Sequence, residues 1–297
     1  MEMEMEMVYR TYKHLLFTVA YRMLGSVSEA EDMVQDLFAT LQTLDTDNIT
    51  NHKAYLVKMI TNRCLNDLKS ARKKREVYVG AWLPEPLLMS NHADPMGQVV
   101  QDETISYAFL VLLQELSSVE RAVFVLREVL GYEYNEVAEM LNKTEINCRK
   151  IYSRAKVKIN QDNERSLGKL GDSQPLVQKF LSAVQTGNFQ DFVSLLTEDA
   201  VLVSDGGGKR RTAIHTILGK QRIQALFEGI AGKGSLQGQW LPFLINGQAG
   251  LVLVKDHKAD MVICFEMEKH QPQANHIYQM MNPDKLQHIS SVLSQIS

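Results

Sequence analysis

The stretch that decides the architecture of this chain is GYEYNEVAEMLNKTEINCRKIYSRAK, which spans residues 131–156. Apolar residues recur at helical spacing on both sides of a short polar break, Asn142-Lys143-Thr144. A helix, a three-residue turn and a second, basic helix form the helix-turn-helix arrangement. The side chains expected to form its small shared core are Val137, Ala138, Leu141, Ile146, Ile151 and Ala155.

The other face of the second helix is polar and basic. Side chains of these types can hydrogen-bond to base edges and phosphates when a helix lies in the major groove of DNA. The alternative is a solvated basic face, since helical hairpins with such a face are common. The pattern favours DNA reading, and the side chains expected to project outward are Asn147, Arg149, Lys150, Ser153 and Arg154.

Residues 8–75 are predicted to form three helices. Gly25 ends the first helix, and Ser28, with Glu31 three residues later, forms a capping box at the start of the second. The second helix has an apolar stripe, and its opposite face is polar and acidic. That face carries Asp32, Gln35 and Asp36. The third helix covers about 52–74 and ends in a run of basic residues.

Residues 76–102 interrupt the helical pattern. The motif Trp-Leu-Pro-Glu-Pro at 82–86 cannot be helical, because each proline disfavours helix in the residue before it. The segment is therefore a linker, but an unusual one. Tyr78, Trp82 and Leu83 are large apolar side chains that so short a segment cannot bury by itself.

A polar segment at 162–172 forms a second linker, after which the pattern changes. Helices are predicted at about 173–186, 189–197 and 220–230, together with strand-like runs at 200–204, 213–218, 236–245, 251–255, 261–268 and 276–281. Helices combined with a mostly antiparallel sheet form an α+β domain. The loop Asp205-Gly206-Gly207-Gly208-Lys209 joins the first two strands and has more glycines than a two-residue hairpin needs.

Composition excludes several classes of protein. No apolar run approaches the ~20 residues that cross a bilayer, and no secretory signal is recognisable at the N-terminus. Cys64, Cys148 and Cys264 are far apart and odd in number, which argues against a disulfide framework and a C-x-x-C metal site and fits a reducing cytoplasm. No P-loop spacing is present, so nucleotide binding is not expected, and neither is another cofactor.

The net charge of -3 does not by itself suggest a nucleic-acid-binding protein, but the distribution of charge does. Five basic residues lie within 69–75, and six lie within 143–158. Local basic patches are what phosphates sense over a Debye length of ~8 Å. Either cluster taken alone could equally be a solvated helix face.

These segments together resemble a known family. Residues 21–36 and 54–72 look like sigma region 2, and 115–156 resemble sigma region 4 with its promoter-reading helix-turn-helix. The linker at 78–86 and the loop at 205–209 together resemble the SigJ-type extracytoplasmic-function sigma factors, which carry a fused SnoaL-like C-terminal domain. One departure is Ala81, where many such linkers have proline.

The resemblance implies a multi-domain chain, in which two all-α sigma domains precede an α+β SnoaL-like cone domain. The implied bounds are 8–75 for region 2, 76–102 for the linker, 103–161 for region 4 and 173–297 for the SnoaL-like domain. The implied function is not enzymatic. It is to bind the RNA polymerase core enzyme, recognise two promoter elements and help open the DNA, under control of the fused domain.

The resemblance also implies roles for individual residues. Asp32, Gln35 and Asp36 are expected to bind polymerase. An unstacked base and the single strand of the minus-ten element are expected to contact Asn62, Arg63, Asn66, Asp67, Lys69, Arg72, Lys73 and Arg75. Asp67 has a structural alternative, a bond to Arg63 one turn back. The minus-thirty-five duplex is expected to contact Asn147, Arg149, Lys150, Ser153 and Arg154.

A contact between the linker and the glycine loop is expected on physical grounds as well. Burying one large apolar side chain contributes ~1.5–3 kcal/mol, so those of the linker should be covered. Glycines let backbones approach closely, and Lys209 is able to pair with Glu85. The residues expected in this regulatory contact are Tyr78, Trp82, Leu83, Pro84, Glu85, Pro86, Asp205, Gly206, Gly207, Gly208 and Lys209. The alternative is a linker packed on its own helical domains.

A different functional class stays open, because a SnoaL-like cone can also serve as an enzyme scaffold or a small-molecule pocket. An enzyme would need an acid/base pair inside the cone. The available polar candidates, among which the sequence shows no recognisable pair, are His215, Asp260, His276 and Tyr278. A purely enzymatic interpretation leaves residues 8–160 unexplained, whereas a C-terminal domain that senses an unidentified small molecule remains an alternative.

Overall fold

The computed structural model describes residues 2–44, 49–75, 78–89, 106–162, 172–268 and 271–296. Contacts within the chain divide it into two compact units. The first unit comprises Met1–Glu76 and Leu110–Glu164, and the second comprises Val77–Phe109 and Arg165–Ser297. The linker thus belongs to the same unit as the C-terminal domain.

The first unit is helical. Helix α4 begins in the second unit and continues into the first, and a π-helical turn at Val125–Val129 extends α5. The helices are α1 Glu2–Leu24, α2 Val27–Leu41, α3 His52–Arg75, α4 Tyr107–Glu115, α5 Ser118–Phe124, α6 Tyr134–Met140 and α7 Glu145–Asp162.

The end of α1 is confirmed at Gly25, whose φ of 73° is a left-handed conformation that glycine adopts readily. The predicted cap of α2 is wrong by two residues. Ser26, not Ser28, is the N-cap, and its hydroxyl accepts a hydrogen bond from the Glu29 amide at 3.2 Å. The physical reason is that Ser26 is extended and directly precedes the first helical residue, whereas Ser28 lies inside the helix.

The helix-turn-helix is confirmed as α6 and α7. Asn142 makes the turn with a φ of 52°, and the Thr144 hydroxyl accepts the Asn147 amide at 3.3 Å at the start of α7. Ile146 is wrong as a core residue, since it is 69% exposed. It lies two residues before the buried Cys148, which at ~100° per residue places it on nearly the opposite side of the helix.

A buried arginine connects three helices of the first unit, α1, α4 and α5, by hydrogen bonds. Arg121 of α5 is 2% exposed, and its guanidinium donates to the carbonyl oxygen of Met23, at the end of α1, at 2.5 Å. It also donates to the side-chain oxygen of Gln114 at 2.8 Å. Because a buried guanidinium needs acceptors, Arg121 fixes the position of α5 against the end of α1.

The second unit combines helices with one seven-stranded sheet of order β1-β4-β5-β6-β7-β2-β3. Neighbouring strands are antiparallel, except that β2 and β7 are parallel. The strands are β1 Leu88–Met89, β2 Leu196–Asp205, β3 Ile217–Leu218, β4 Gln239–Ile245, β5 Gln248–Lys255, β6 Lys258–Met267 and β7 Ala274–Met280. The helices are α8 Gln174–Thr186, α9 Gln190–Val193, α10 Lys220–Gly232, a 3₁₀ turn Asp284–Leu286 and α11 Gln287–Ile296.

Three details of this domain differ from the sequence prediction. The run at 213–218 forms a strand only at Ile217–Leu218. Strand β1 comes from the linker and pairs with the edge of β4, and two residues are too few to produce an alternating pattern. Helix α11 is absent from the sequence prediction, although the apolar residues of QHISSVLSQI recur at helical spacing, at Ile289, Val292, Leu293 and Ile296.

Aromatic rings fill the space between the helices and one face of the sheet. Phe180 of α8 lies at the centre, with its ring centroid 5.2 Å from those of Phe192, Phe227 and Trp240. Ile263 and Phe265 of β6 point into this core. Since side chains alternate along a strand, Cys264 and Glu266 lie on the other face of the sheet.

Candidate linker-docking site and nucleic-acid interface

The candidate polymerase-binding face lies on α2. Asp32, Gln35 and Asp36 are all exposed. The opposite side of this helix is buried, as the apolar stripe predicts, and consists of Ala30, Val34, Leu37, Phe38 and Leu41. The helix therefore presents an acidic surface that is available to a partner.

The candidate minus-ten residues on α3 fall into two groups. Asn66 and Lys69 are exposed, and Asp67 is half-buried. The Asp67 charge contributes, after burial, to raising the pKa of the Cys64 thiol to about 12. The side chains of Arg72, Lys73 and Arg75 lie outside the described residues, although the helix backbone extends to Arg75.

Asn62 and Arg63, in contrast, already have partners within the first unit. The Asn62 side-chain amide donates to the carbonyl oxygens of Lys58 and of Met140, each at 2.9 Å. Arg63 donates to the Thr40 hydroxyl at 2.6 Å. Because Met140 belongs to the helix-turn-helix, a candidate minus-ten side chain is bonded to the candidate minus-thirty-five module.

Helix α7 presents a basic surface. Asn147, Arg149, Lys150, Ser153 and Arg154 are all exposed, as predicted. The Arg149 guanidinium lies 2.6 Å from the Glu145 carboxylate and 4.3 Å from the centroid of the Tyr134 ring. These contacts hold Arg149 in one orientation, while the other four side chains project beside it.

The linker-docking site is centred on Asp205, the last residue of β2, whose side chain is fully buried. One carboxylate oxygen accepts hydrogen bonds from the Tyr78 hydroxyl at 2.5 Å and the Gly207 amide at 2.9 Å. The other accepts from the Leu83 amide at 2.9 Å and the Lys285 ammonium at 2.7 Å. Four donors thus converge on one carboxylate, and two of them come from the linker.

Lys285 is the cationic partner in this site, and the sequence does not predict its role. Its ammonium donates to the Leu83 carbonyl oxygen at 2.6 Å. It also lies 3.9 Å from the centroid of the Trp82 ring and 5.0 Å from that of Tyr78, within the range of cation–π attraction. No sequence signal marks this lysine, because only the fold brings the turn after β7 next to the linker.

The glycine loop lies close to the linker and to the turn after β7, and a Cβ on Gly208 would lie 3.2 Å from the Cβ of Val79 in the linker. A Cβ on Gly206 would lie 2.6 Å from the Arg210 carbonyl oxygen, and one on Gly207 would lie 2.3 Å from the Asn282 side-chain nitrogen. Asn282 in turn donates to the Tyr78 hydroxyl at 2.8 Å. A larger residue at Gly207 would therefore displace Asn282, which holds Tyr78.

The expected pair between Lys209 and Glu85 is wrong. Lys209 pairs with Asp284 at 2.5 Å, and both side chains are more than half exposed. Glu85 is buried, and its carboxylate lies 3.8 Å from the His288 ring. Lys209 belongs to the exposed side of the loop, whereas Glu85 is turned towards α11.

The rest of the linker is also held by backbone and side-chain contacts. The Tyr107 hydroxyl donates to the Pro84 carbonyl oxygen at 2.6 Å. The His288 ring donates to the Pro86 carbonyl oxygen at 2.8 Å. The Leu87 amide donates to the Asn246 side chain at 2.9 Å before the linker joins the sheet as β1. The linker is therefore an integral part of the second unit.

Electrostatics favour a protonated tyrosine in the docking site. Burial, followed by the hydrogen bond to Asp205, raises the pKa of Tyr78 well above its usual value. The hydroxyl therefore remains a donor at any ordinary pH. The Asp205 carboxylate and the Lys285 ammonium are both buried, so each stabilises the charge of the other. An unpaired buried charge would be strongly unfavourable.

Two of the four candidate enzymatic residues, His276 and Tyr278, form a cluster with Glu266 on the sheet face opposite the aromatic core. The Tyr278 hydroxyl donates to the Glu266 carboxylate at 2.9 Å, and the His276 ring lies 3.3 Å from the same carboxylate. Burial and the Glu266 charge raise the pKa of Tyr278 far above its usual value, so it is unsuited to act as a base. Asp260 instead pairs with Arg210 and Lys255, and His215 is exposed.

Comparison with known proteins identifies relatives over most of the chain. The family model for Sigma-70 region 2 matches residues 8–74, and the model for Sigma-70, region 4 matches residues 106–159. The chain is 32% identical over 243 residues to the ECF RNA polymerase sigma factor SigJ of Mycobacterium tuberculosis, with 79% of this chain and 76% of the relative covered. It is 29% identical over 190 residues to the probable ECF RNA polymerase sigma factor SigI of the same species, with 63% and 65% covered.

A solved structure extends the likeness to the C-terminal domain. The crystal structure of the M. tuberculosis extracytoplasmic function sigma factor SigJ matches with a TM-score of 0.73 at 26% identity. The match covers 93% of this chain and 96% of that chain. The expected order of helical sigma domains followed by an α+β domain is thereby confirmed. In the parts of the chain that the structure describes, no helix is long and apolar enough to cross a membrane.

We expect the docking site to depend on Asp205 far more than on the neighbouring exposed pair. In a Trp240→Phe background, Trp82 is the only remaining tryptophan, so its emission and its quenching by acrylamide report on linker docking. Asp205→Ala strands Lys285 and should cost ~3–5 kcal/mol, which releases Trp82. Tyr78→Phe removes one hydrogen bond and should cost ~1–3 kcal/mol.

The matched control is Lys209→Ala, which removes an exposed ion pair in the same loop and should cost no more than ~1 kcal/mol. Circular dichroism distinguishes release of the linker from loss of the fold. Equal Trp82 exposure in the Asp205→Ala, Tyr78→Phe and Lys209→Ala proteins would contradict the assignment of Asp205 as the centre of the site.

Proposed function

The chain belongs to the extracytoplasmic-function (ECF) RNA polymerase sigma factors, and we propose that it directs the core polymerase to promoters under control of its own C-terminal domain. In this proposal the first unit supplies contacts to polymerase and DNA. The second unit holds the linker between the two sigma regions. The protein acts in the cytoplasm, where polymerase and promoter DNA are present.

We assign polymerase binding to the acidic face of α2. Exposure of Asp32, Gln35 and Asp36 supports this role, since a charge pair with a basic partner needs side chains that are accessible before association. The buried stripe on the other side of the helix fixes its orientation. Complementary charge at such a contact favours both rapid association and the correct register.

We assign minus-ten binding to α3 and minus-thirty-five binding to α7. The exposed basic face of α7 supports duplex reading, in which arginine pairs with guanine in the major groove. Capture of a minus-ten base by Asn62 requires release of its bond to Met140. DNA binding at the minus-ten element is therefore coupled to separation of α3 from the helix-turn-helix.

The observation that carries the regulatory part of the proposal is the buried Asp205 carboxylate, which accepts bonds from both Tyr78 and Leu83 of the linker. The linker joins the two DNA-reading regions along the chain. A domain that holds the linker limits the separations those regions can adopt, and that spacing must match the spacing of the promoter elements. The fused domain thereby controls promoter engagement without a separate regulatory subunit.

A small-molecule ligand of the C-terminal domain is the alternative mode of control, and the geometry favours it less. Aromatic rings occupy the space between the helices and the sheet, where a cone would hold a ligand. The Glu266 cluster lies on the other face, and the Tyr107 ring covers Tyr278 at a centroid distance of 5.5 Å. We therefore favour the linker as the principal occupant of the polar face.

Reversal of one charge on α2 should strongly weaken polymerase binding, enough to lose the polymerase in a pull-down. We expect Asp36→Arg to lose ~2–5 kcal/mol of binding free energy, about thirtyfold or more in affinity, because it places a cation against a basic partner. Pull-down of core polymerase with the full chain measures the effect. Glu228→Arg, the same change at an exposed position on α10, is the control and should bind as the unmodified protein does. If both variants retain polymerase equally, α2 does not form part of the polymerase-binding surface.

Release of the linker should change transcription without preventing polymerase binding. In-vitro transcription with core polymerase compares the full chain with Trp82→Ala, with Gly207→Ala and with a chain lacking residues 173–297. Trp82→Ala removes the cation–π contact, and Gly207→Ala displaces Asn282. All three should alter transcript yield, whereas Lys209→Ala should not.

Polymerase pull-down of each variant confirms that the sigma regions remain folded. Transcription by the shortened chain that equals that of the full chain at every promoter tested would exclude regulation by the C-terminal domain.

A further inference from the structure

Ile146 occupies an unusual position for an apolar side chain. At 69% exposure it is the most exposed large hydrophobic residue in the parts of the chain that the structure describes. It lies at the second position of α7, directly after Glu145. Single exposed apolar side chains are common on protein surfaces, so what distinguishes Ile146 is its position on a helix face that otherwise carries exposed cations and polar groups.

The geometry of α7 places Ile146 in the middle of the outward face. Cys148, Ala155 and Ile159 are buried and define the inner side of the helix. At ~100° per residue, Ile146 points nearly opposite to that side, and Lys150 and Ser153 continue its line along the helix. Arg149 lies three residues further on, one turn along this surface.

The surroundings of Ile146 favour nucleic acid over protein as its partner. Arg149, Lys150 and Arg154 are exposed cations on the same helix, so the partner carries negative charge. Duplex DNA combines phosphates with one apolar feature in the major groove, the 5-methyl group of thymine. An aliphatic side chain between cations matches that combination.

We propose that Ile146 packs against the 5-methyl group of a thymine in the minus-thirty-five duplex and sets base preference at that position. This inference rests on the proposed assignment of α7 to the minus-thirty-five element and adds a specificity-determining residue to it. Isoleucine has no hydrogen-bonding groups, so its discrimination comes from apolar contact alone. The contact distinguishes thymine from cytosine, which lacks the methyl group.

The test removes the methyl group without changing base pairing or charge. A minus-thirty-five duplex is first selected from a randomised library with core polymerase and the full chain. Each thymine is then replaced in turn by deoxyuridine. With the unmodified protein, replacement of the contacted thymine should weaken binding about fourfold, the fold-change that corresponds to ~0.8 kcal/mol for one buried methyl group. With Ile146→Ala, the same replacement should have no effect.

Val157→Ala is the matched control. Val157 is 51% exposed on the same side of α7, three turns further along, and should leave the response to deoxyuridine unchanged. Because both side chains are exposed, neither substitution should alter the melting temperature. Loss of polymerase binding by Ile146→Ala would instead identify a protein partner and overturn the inference.

The outcomes separate this inference from the function on which it rests. Arg149→Ala should relax preference at a guanine in the selected duplex. Suppose that Arg149→Ala relaxes the guanine preference, but that no deoxyuridine replacement weakens binding, or that one weakens binding equally in the unmodified protein and in Ile146→Ala. The role of Ile146 is then wrong, and the assignment of α7 to the minus-thirty-five element stands. If no sequence is selected, both fail together.

Discussion

The carboxylate of Asp205 is the group on which the arrangement of the C-terminal unit depends. It is withdrawn from water at the end of β2, where four donors replace its hydration. A buried charge of this kind is tolerated only with complete pairing, and here the linker provides part of that pairing. Folding of the C-terminal domain and docking of the linker are therefore energetically coupled. Without the Tyr78 hydroxyl and the Leu83 amide, the buried Asp205 carboxylate would lose two of its four hydrogen-bond donors.

The same constraint explains which residues surround the site. The two glycines after Asp205 leave room for Asn282 and Arg210, and Asn282 orients the Tyr78 hydroxyl. The proline-rich stretch of the linker cannot form a regular helix or a central strand, so its carbonyl groups need other donors. Tyr107 and His288 supply them. The unusual composition of the linker is thus matched by specific partners in the domain that follows.

The sequence predicts those parts of the fold and of the docking site whose determining residues lie close together along the chain. Periodicity and turn residues predict the three amino-terminal helices and the helix-turn-helix, because their core positions repeat within one element. The approach of the linker to the glycine loop follows from apolar side chains with no local partner. Lys285 does not follow, since the parallel pairing of β2 with β7 brings it there. The same pairing brings Asp284, and not Glu85, next to Lys209. The apolar side chain of Ile146 predicts a core position, but its direction on the helix leaves it exposed.

The central claim is that Asp205 buries and holds the linker, and amide hydrogen exchange of residues 78–89 in the full chain tests it most directly. The account predicts that the Leu83 amide, bonded to a buried carboxylate, exchanges slowly and becomes fast when Asp205 is replaced by alanine. Exchange of this segment at the rate of an unstructured peptide in the unmodified protein would contradict the account.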